Sequence, residues 1–182
     1  SRTSSIAISY ILNQESGETA VQIDIQVGAI DKFHADAIVL NAFEGATTLG
    51  GATGAVDRVL NGLLHDIIVS GDFKGKVGEA SVIYVRGALA SPRVILVGLG
   101  KQERFSATVA RRASAAAARK AQEMGLKHIA SVVHGAGAGG LDVQAAAMRN
   151  QPHLQRSYAA VQTQIENTSR EIARRQDEIV AS

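Results

Sequence analysis

The sequence contains no cysteine. That removes thiol nucleophiles, thiolate metal sites and any disulfide framework, and it leaves the compartment open. Tryptophan is also absent, and aromatic residues make up only 4% of the chain, too few for a base-stacking platform. Neither sign of charge dominates: 19 basic and 17 acidic residues give a net charge of +2, without the basic excess of a nucleic-acid-binding surface. The basic residues gather in ARRASAAAARK and SREIARRQ, which read as solvated helix faces. The N-terminal SRTSSIAISYILNQESGE holds an apolar patch of only a few residues, too short for a signal sequence or a membrane span. The expectation is a soluble, cytoplasmic protein with no nucleic-acid or membrane partner.

Chemical motifs are equally sparse. The dinucleotide GxGxxG and the phosphate-loop GxxxxGK[ST] are missing, so neither a Rossmann cofactor site nor an ordinary nucleotidase is supported. His34, His65, His128, His134 and His153 never fall four apart on one helix, and HExxH is absent. Asp57, Asp66, Asp72, Glu79 and Asp142 stand singly, without the clustered spacing of a dinuclear metal site. Ser70 and Ser81 lack a histidine and an acid at nucleophile spacing. No catalytic residue, metal ligand or cofactor is expected.

What the chain does have is alternation of strands and helices. At 182 residues it is one domain with room for an appendage, able to bury roughly two-thirds of its unfolded surface. AVQIDIQVG (Ala20 to Gly28) alternates apolar and polar residues, which predicts a strand with one wet face near a sheet edge. Ala37 to Leu40 is a continuous apolar run, the pattern of a strand buried on both faces. From Gly54 to Val69, the residues Val56, Leu60, Leu63, Leu64 and Ile67 form a helical stripe. ASVIYVRG and PRVILVGLG predict two more strands joined around Ser91 and Pro92. Ser106 is an N-cap for the alanine-rich helix that Gly125 ends. HIASVVHG is a further strand, emptying into GAGAGGLD, and Asp142 is a candidate cap for a following helix. Beyond Pro152 one long helix is expected. A composition shift near Asn150 sets the boundary between a domain over 1–150 and a helical extension over 151–182.

Two glycine-rich loops, Gly45 to Gly54 and Gly135 to Gly140, each follow a buried strand and precede a helix. Both should lie at the carboxyl end of the sheet, where open α/β sheets bind ligands. Glycine lets backbone N–H groups approach an anion, and a helix N-terminus adds partial positive charge. The residues that would hold a diphosphate are Gly50, Gly51, Gly54, Gly135, Gly137, Gly139 and Gly140, with Asn41 orienting a ribose. Tight turns without a ligand are the plain alternative. His134, directly before the second loop, is either a phosphate contact or a partly exposed strand-end histidine. Lys74 and Lys76 read as solvated lysines in a flexible, glycine-flanked turn.

LNAFEGATTLGGATGAVDRVL, preceded by VGAIDKFHADAIV, resembles the macro-domain pattern of strand, Asn-containing turn, double-glycine loop and helix. GEASVIYVRG and SVVHGAGAGGLDVQAAA fall where macro domains have their middle strand and second phosphate loop. The order GDFKGKVGE, RVILVGLGK and an Ala/Arg-rich helix is similar to one branch of that fold, the N-terminal domain of the leucyl aminopeptidase family. The likeness runs from about Ala20 to Met148. It implies a three-layer α/β fold with a macro-domain-like mixed sheet flanked by helices, extended here by the long C-terminal helix. Asn41 matches the first asparagine of the macro turn, whereas Glu44 stands where hydrolytic members place a second. Ala29 occupies the position of the adenine-binding acid, with Asp31 displaced. These departures argue against ADP-ribose hydrolysis.

In the aminopeptidases the metals and catalytic residues lie in a C-terminal domain marked by a motif like NTDAEGR, which this sequence lacks. The resemblance therefore implies a non-catalytic regulatory or assembly domain, partnered by an aminopeptidase catalytic domain. The alternative is a stand-alone binder of ADP-ribose or a related nucleotide diphosphate. Tyr158, Ile165, Ile172 and Ile179 recur every seven residues in the tail. They mark either a helix laid across the domain or a seam for self-association.

Overall fold

The computed structural model describes residues 5–15, 18–132 and 134. The second glycine loop, the helix capped by Asp142, the boundary near Asn150 and the C-terminal helix with its heptad stripe lie outside the described residues.

Among the described residues, six strands form one mixed sheet: β1 (Ser5–Glu15), β2 (Glu18–Gly28), β3 (Ala37–Ala42), β4 (Ala80–Tyr84), β5 (Arg93–Gly98) and β6 (His128–Val132). Their order across the sheet is β2-β1-β6-β3-β5-β4. The strand predicted from alternation to lie near an edge, β2, is an outer strand. β1 pairs antiparallel with both β2 and β6, and β4 pairs antiparallel with β5. The inner strands β6, β3 and β5 run parallel, with Ile38 opposite both Ala130 and Val94.

The apolar runs in β3 and β5 reflect two covered faces. Ile38, Leu40, Val94 and Leu96 join the core under α1 (Gly51–Val59) and α2 (Leu63–Val69). Ala37, Val39, Ile95 and Val97 join a second core with Ala113, Ala117 and Ala121 of α3 (Ala107–Glu123). The result is helices, sheet and helix in three layers. Alanine on the inner face of α3 lets that helix lie close to the sheet. Ser106 caps it by accepting from the Val109 amide, and Gly125 (φ 66°) follows its end.

The helix expected from Gly54 to Val69 is two helices. Asn61 (φ 55°) and Gly62 (φ 87°) take left-handed conformations that break it after Leu60. Most of the predicted stripe survives the break: Val56, Leu60 and Leu64 are buried in one cluster with Ile67 packed against it, whereas Leu63, the first residue after the break, is exposed. Asp57 supplies the cap that α2 lacks at Gly62: its Oδ1 accepts from the Leu64 and His65 amides at 2.8 and 3.2 Å.

Asp36 ties the amino ends of the parallel strands together. Its Oδ2 accepts from the Lys127 and His128 amides, both at 2.9 Å, and its carbonyl accepts from Arg93 Nη1 at 3.1 Å. The His128 amide chiefly holds the Asp36 carboxyl below its ordinary range, against a burial effect that raises it.

Candidate ligand site at the carboxyl ends of the parallel strands

Because β6, β3 and β5 are parallel neighbours, the chain leaves all three at one edge of the sheet. Asn41, second from the end of β3, is half-buried there, and its Nδ2 donates to His134 Nδ1 at 3.1 Å. His134 is 4% exposed, and burial pushes its pKa down to about 4. The imidazole is therefore neutral at pH 7, accepting on Nδ1 and carrying its proton on Nε2. A strand-end histidine was one of the two expectations for this residue, though it is more deeply buried than that reading required.

The first glycine loop delivers α1 to the same edge. Gly50 is its N-cap and Gly51 its first residue, with φ 56°. A Cβ at either would meet nothing within 4 Å, so the backbone there is open to solvent. Thr53 is buried and donates its Oγ1 proton to the Asn41 carbonyl at 2.8 Å, fastening the first turn of α1 to β3. Gly54 has a different role. Its amide donates to the Gly50 carbonyl at 3.0 Å, and a Cβ would collide with the Leu49 carbonyl. Its missing side chain serves packing. Gly135, Gly137, Gly139 and Gly140 lie outside the described residues, so Asn41, Gly50 and Gly51 are the expected site residues found at this edge.

Three glycines outside the expected set, Gly75, Gly98 and Gly100, are required by close packing. A Cβ on Gly75 would meet the Phe43 carbonyl at 2.7 Å and the Glu44 amide at 2.8 Å. On Gly98 it would strike the Lys76 carbonyl, and on Gly100 the Val77 side chain. Gly100 donates to the Gly75 carbonyl at 2.7 Å, and the Glu44 amide donates to the Gly100 carbonyl at 2.9 Å. The turn read as flexible is thus pinned against the ends of β3 and β5. Glu79 completes it, its carboxylate accepting from the Lys74 and Lys76 amides at 3.0 Å each.

The pinned turn forms one wall of a groove of about 450 Å³, with Glu44 to Thr47 and α2 as the others. Sequence reasoning did not find this groove. The signal available was KGKVGE itself, two lysines interleaved with glycines before a glutamate.

Asp31 pairs with Lys32 at 3.1 Å. Ser9 Oγ lies 2.6 Å from His128 Nε2, and Asp36 bonds the His128 amide, so hydroxyl, imidazole and carboxylate are near one another. The arrangement is structural: Ser9 is buried and the Asp36 carboxylate is occupied by main-chain amides. Among the described residues no three His, Asp or Glu side chains gather as a metal site. Nor is any helix among them long and apolar enough to cross a membrane.

Comparison with known proteins adds identity to this geometry. The family model described as "Cytosol aminopeptidase family, N-terminal domain" matches residues 39–150. A protein of Alkaliphilus oremlandii named "Probable cytosol aminopeptidase" is 34% identical over 115 residues, covering 63% of this chain and 23% of that protein. One of the same name from Burkholderia thailandensis is 44% identical over 71 residues, 39% of this chain and 14% of that protein. The alignments thus span less than a quarter of these curated relatives. Among solved structures, a mutant tomato leucine aminopeptidase aligns over 54% of this chain and 20% of its own, with 25% identity and a TM-score of 0.43. A Trypanosoma brucei macrodomain aligns over 54% of this chain and 40% of its own, with 24% identity and a TM-score of 0.44. The matched span of the family model exceeds half of the 182 residues, and the chain belongs to the cytosol aminopeptidase family, through the N-terminal domain of that family.

Proposed function

We propose that this chain serves as a non-catalytic regulatory or assembly domain of a cytoplasmic metalloaminopeptidase, working beside a catalytic domain that carries the metals. The observation that carries this reading is the location of the match: it falls on the family's N-terminal domain, over 39–150. The motif like NTDAEGR that marks the catalytic domain is absent from the sequence. The test pairs two assays. The chain alone, supplied with Zn²⁺ or Mn²⁺, should not hydrolyse leucine p-nitroanilide. Mixed with the isolated catalytic region of a cytosol aminopeptidase, it should form a complex visible by light scattering and alter that region's activity. Hydrolysis by the chain alone would overturn the reading, as would the absence of any complex. A self-association seam at Tyr158, Ile165, Ile172 and Ile179 belongs to the same proposal. It predicts a multimeric mass for the chain that falls when Ile172 is changed to Asp.

A second reading rests on Gly50 and Gly51, whose backbone is open at the α1 N-terminus beside Asn41. In it, ADP-ribose or a related nucleotide diphosphate binds through main-chain amides of the glycine loops, including Gly135, Gly137, Gly139 and Gly140. A ligand that prefers the native state raises the melting temperature, so millimolar ADP-ribose should do so here. No shift would remove the support for this reading.

A further inference from the structure

The groove beside the pinned turn combines three features that the glycine-loop edge does not use. It is lined by apolar Ile68, Val69 and Phe73, with Lys74 and Lys76 on one wall and Glu44 on the other. Phe73 is fully buried whereas Val69 is 67% exposed, so the lining runs from core to open surface. Among the described residues, neither lysine ammonium nor the Glu44 carboxylate has an ion-pair partner.

These unpaired charges stand on backbone that is already ordered. Gly75, between the two lysines, sits directly against the Phe43–Glu44 peptide, and the amides of both lysines are held by Glu79. The segments bearing positive and negative charge are therefore in contact and fixed relative to each other. A binding site preorganised in this way loses less free energy to ordering when it is occupied.

We propose that this groove binds a free α-amino acid with an aliphatic side chain. The α-carboxylate meets Lys74 and Lys76, the α-ammonium meets Glu44, and the aliphatic chain lies along Ile68 and Val69. Charge complementarity selects this ligand class. A phosphate or simple carboxylate would satisfy the lysines but be repelled by Glu44, and an amine would do the reverse. A volume of about 450 Å³ lies within the ~300–1,000 Å³ of small-molecule sites and admits one such molecule with its water. A free amino acid is also what an aminopeptidase releases. Occupancy would therefore report product to a neighbouring catalytic domain, a consequence that rests on the regulatory reading above, whereas the binding itself does not.

The test is calorimetric titration of the full chain with L-leucine, N-acetyl-L-leucine, L-leucinamide and inorganic phosphate. L-Leucine should give saturable heat. Each analogue, lacking one of the two charges, should bind at least about tenfold more weakly. In Glu44→Gln the discrimination between L-leucine and N-acetyl-L-leucine should collapse. In the double variant Lys74→Gln, Lys76→Gln, that between L-leucine and L-leucinamide should collapse. These side chains are solvent-accessible, and the analogue series on the unaltered chain decides the matter should a variant misfold. The proposal is overturned by no heat with L-leucine up to about 10 mM, the weak end of small-ligand affinity. Equal affinity for the analogues, or phosphate binding as tightly as L-leucine, would overturn it too. Failure here would leave the non-catalytic reading standing, because that reading is judged by the peptidase and complex-formation assays.

Discussion

The side-chain amide of Asn41 and the imidazole of His134, 93 positions apart, form a 3.1 Å hydrogen bond at the carboxyl edge of the sheet. The amide nitrogen can only donate, so His134 Nδ1 must accept, and an accepting Nδ1 requires the neutral ring. The pair therefore joins β3 to the segment leaving β6 only while His134 is unprotonated.

Stability should accordingly depend on pH in a definite window. Burial lowers the His134 pKa from 6.5 to about 4, so the unfolded chain binds a proton that the folded chain refuses. The contribution is fully present above pH 6.5 and is lost as pH falls from 6.5 towards 4. At most it amounts to about 3 kcal/mol. Asp36, whose pKa is also lowered, loses its own contribution only below its ordinary 3.8, outside this window. Urea denaturation at pH 7 and 4.5 should show the fall, and His134→Gln should flatten it. An unchanged slope in the variant would assign the dependence to other groups.

Two glycines should respond unequally to alanine. Gly98→Ala would drive a Cβ into the Lys76 carbonyl and the Gly75 peptide, where backbone cannot swing aside. The expected loss is about 1–3 kcal/mol, typical of overpacking. Gly50→Ala places its Cβ in open space at φ −103°, a region any residue adopts. Its cost should be no more than a few tenths to about 1 kcal/mol, the usual range for an N-cap. Thermal melts of the two variants measure the difference, and equal losses would refute the packing argument.

The sequence was most legible where one pattern runs along the whole length of an element. Ala37 to Leu40 read as doubly covered and each is fully buried, because helices lie on both sides of β3. Alternation in Ala20 to Gly28 read as an edge strand, and β2 is one. β1 was overlooked because its apolar residues were weighed only as a signal or span. Yet Ile8 lies opposite Ile25 and Tyr10 opposite Ile23, the register of a hairpin that two adjacent alternating runs could have announced. Asn61-Gly62 is a recognised breaker that the intact hydrophobic stripe concealed. The Asn41–His134 bond and the pinning of Gly75 depend on contacts between distant segments. Local pattern carries no record of them.

Asp57 illustrates a cap supplied from a distance. It lies within α1, yet its carboxylate accepts from the first amides of α2 across the break at Asn61-Gly62. Asp57→Ala should cost about 1–2 kcal/mol, the range for losing a capping acceptor. Asp57→Asn, which retains an acceptor oxygen, should recover most of it. The check is the urea midpoint at constant slope, and equal destabilisation by both variants would mean that packing or charge, not capping, is at stake.

Ser91 and Ser70 separate burial from hydrogen bonding. Ser91 is fully buried; its Oγ donates to the Phe33 carbonyl at 2.6 Å and accepts from the Ala35 amide at 3.0 Å, tying the segment before β3 to the segment before β5. Ser70 is exposed and also makes hydrogen bonds, to the Ile67 carbonyl at 2.9 Å and Asp72 at 3.0 Å. Alanine at position 91 strands a main-chain acceptor and a main-chain donor away from water, and about 2 kcal/mol should be lost. Alanine at position 70 returns its partners to solvent, and the change should stay within about 0.5 kcal/mol. Equilibrium urea unfolding of both variants measures the gap. A similar loss at the two sites would mean that the bonds around Ser91 are reached by water, and that the loop it ties is more open than its burial indicates.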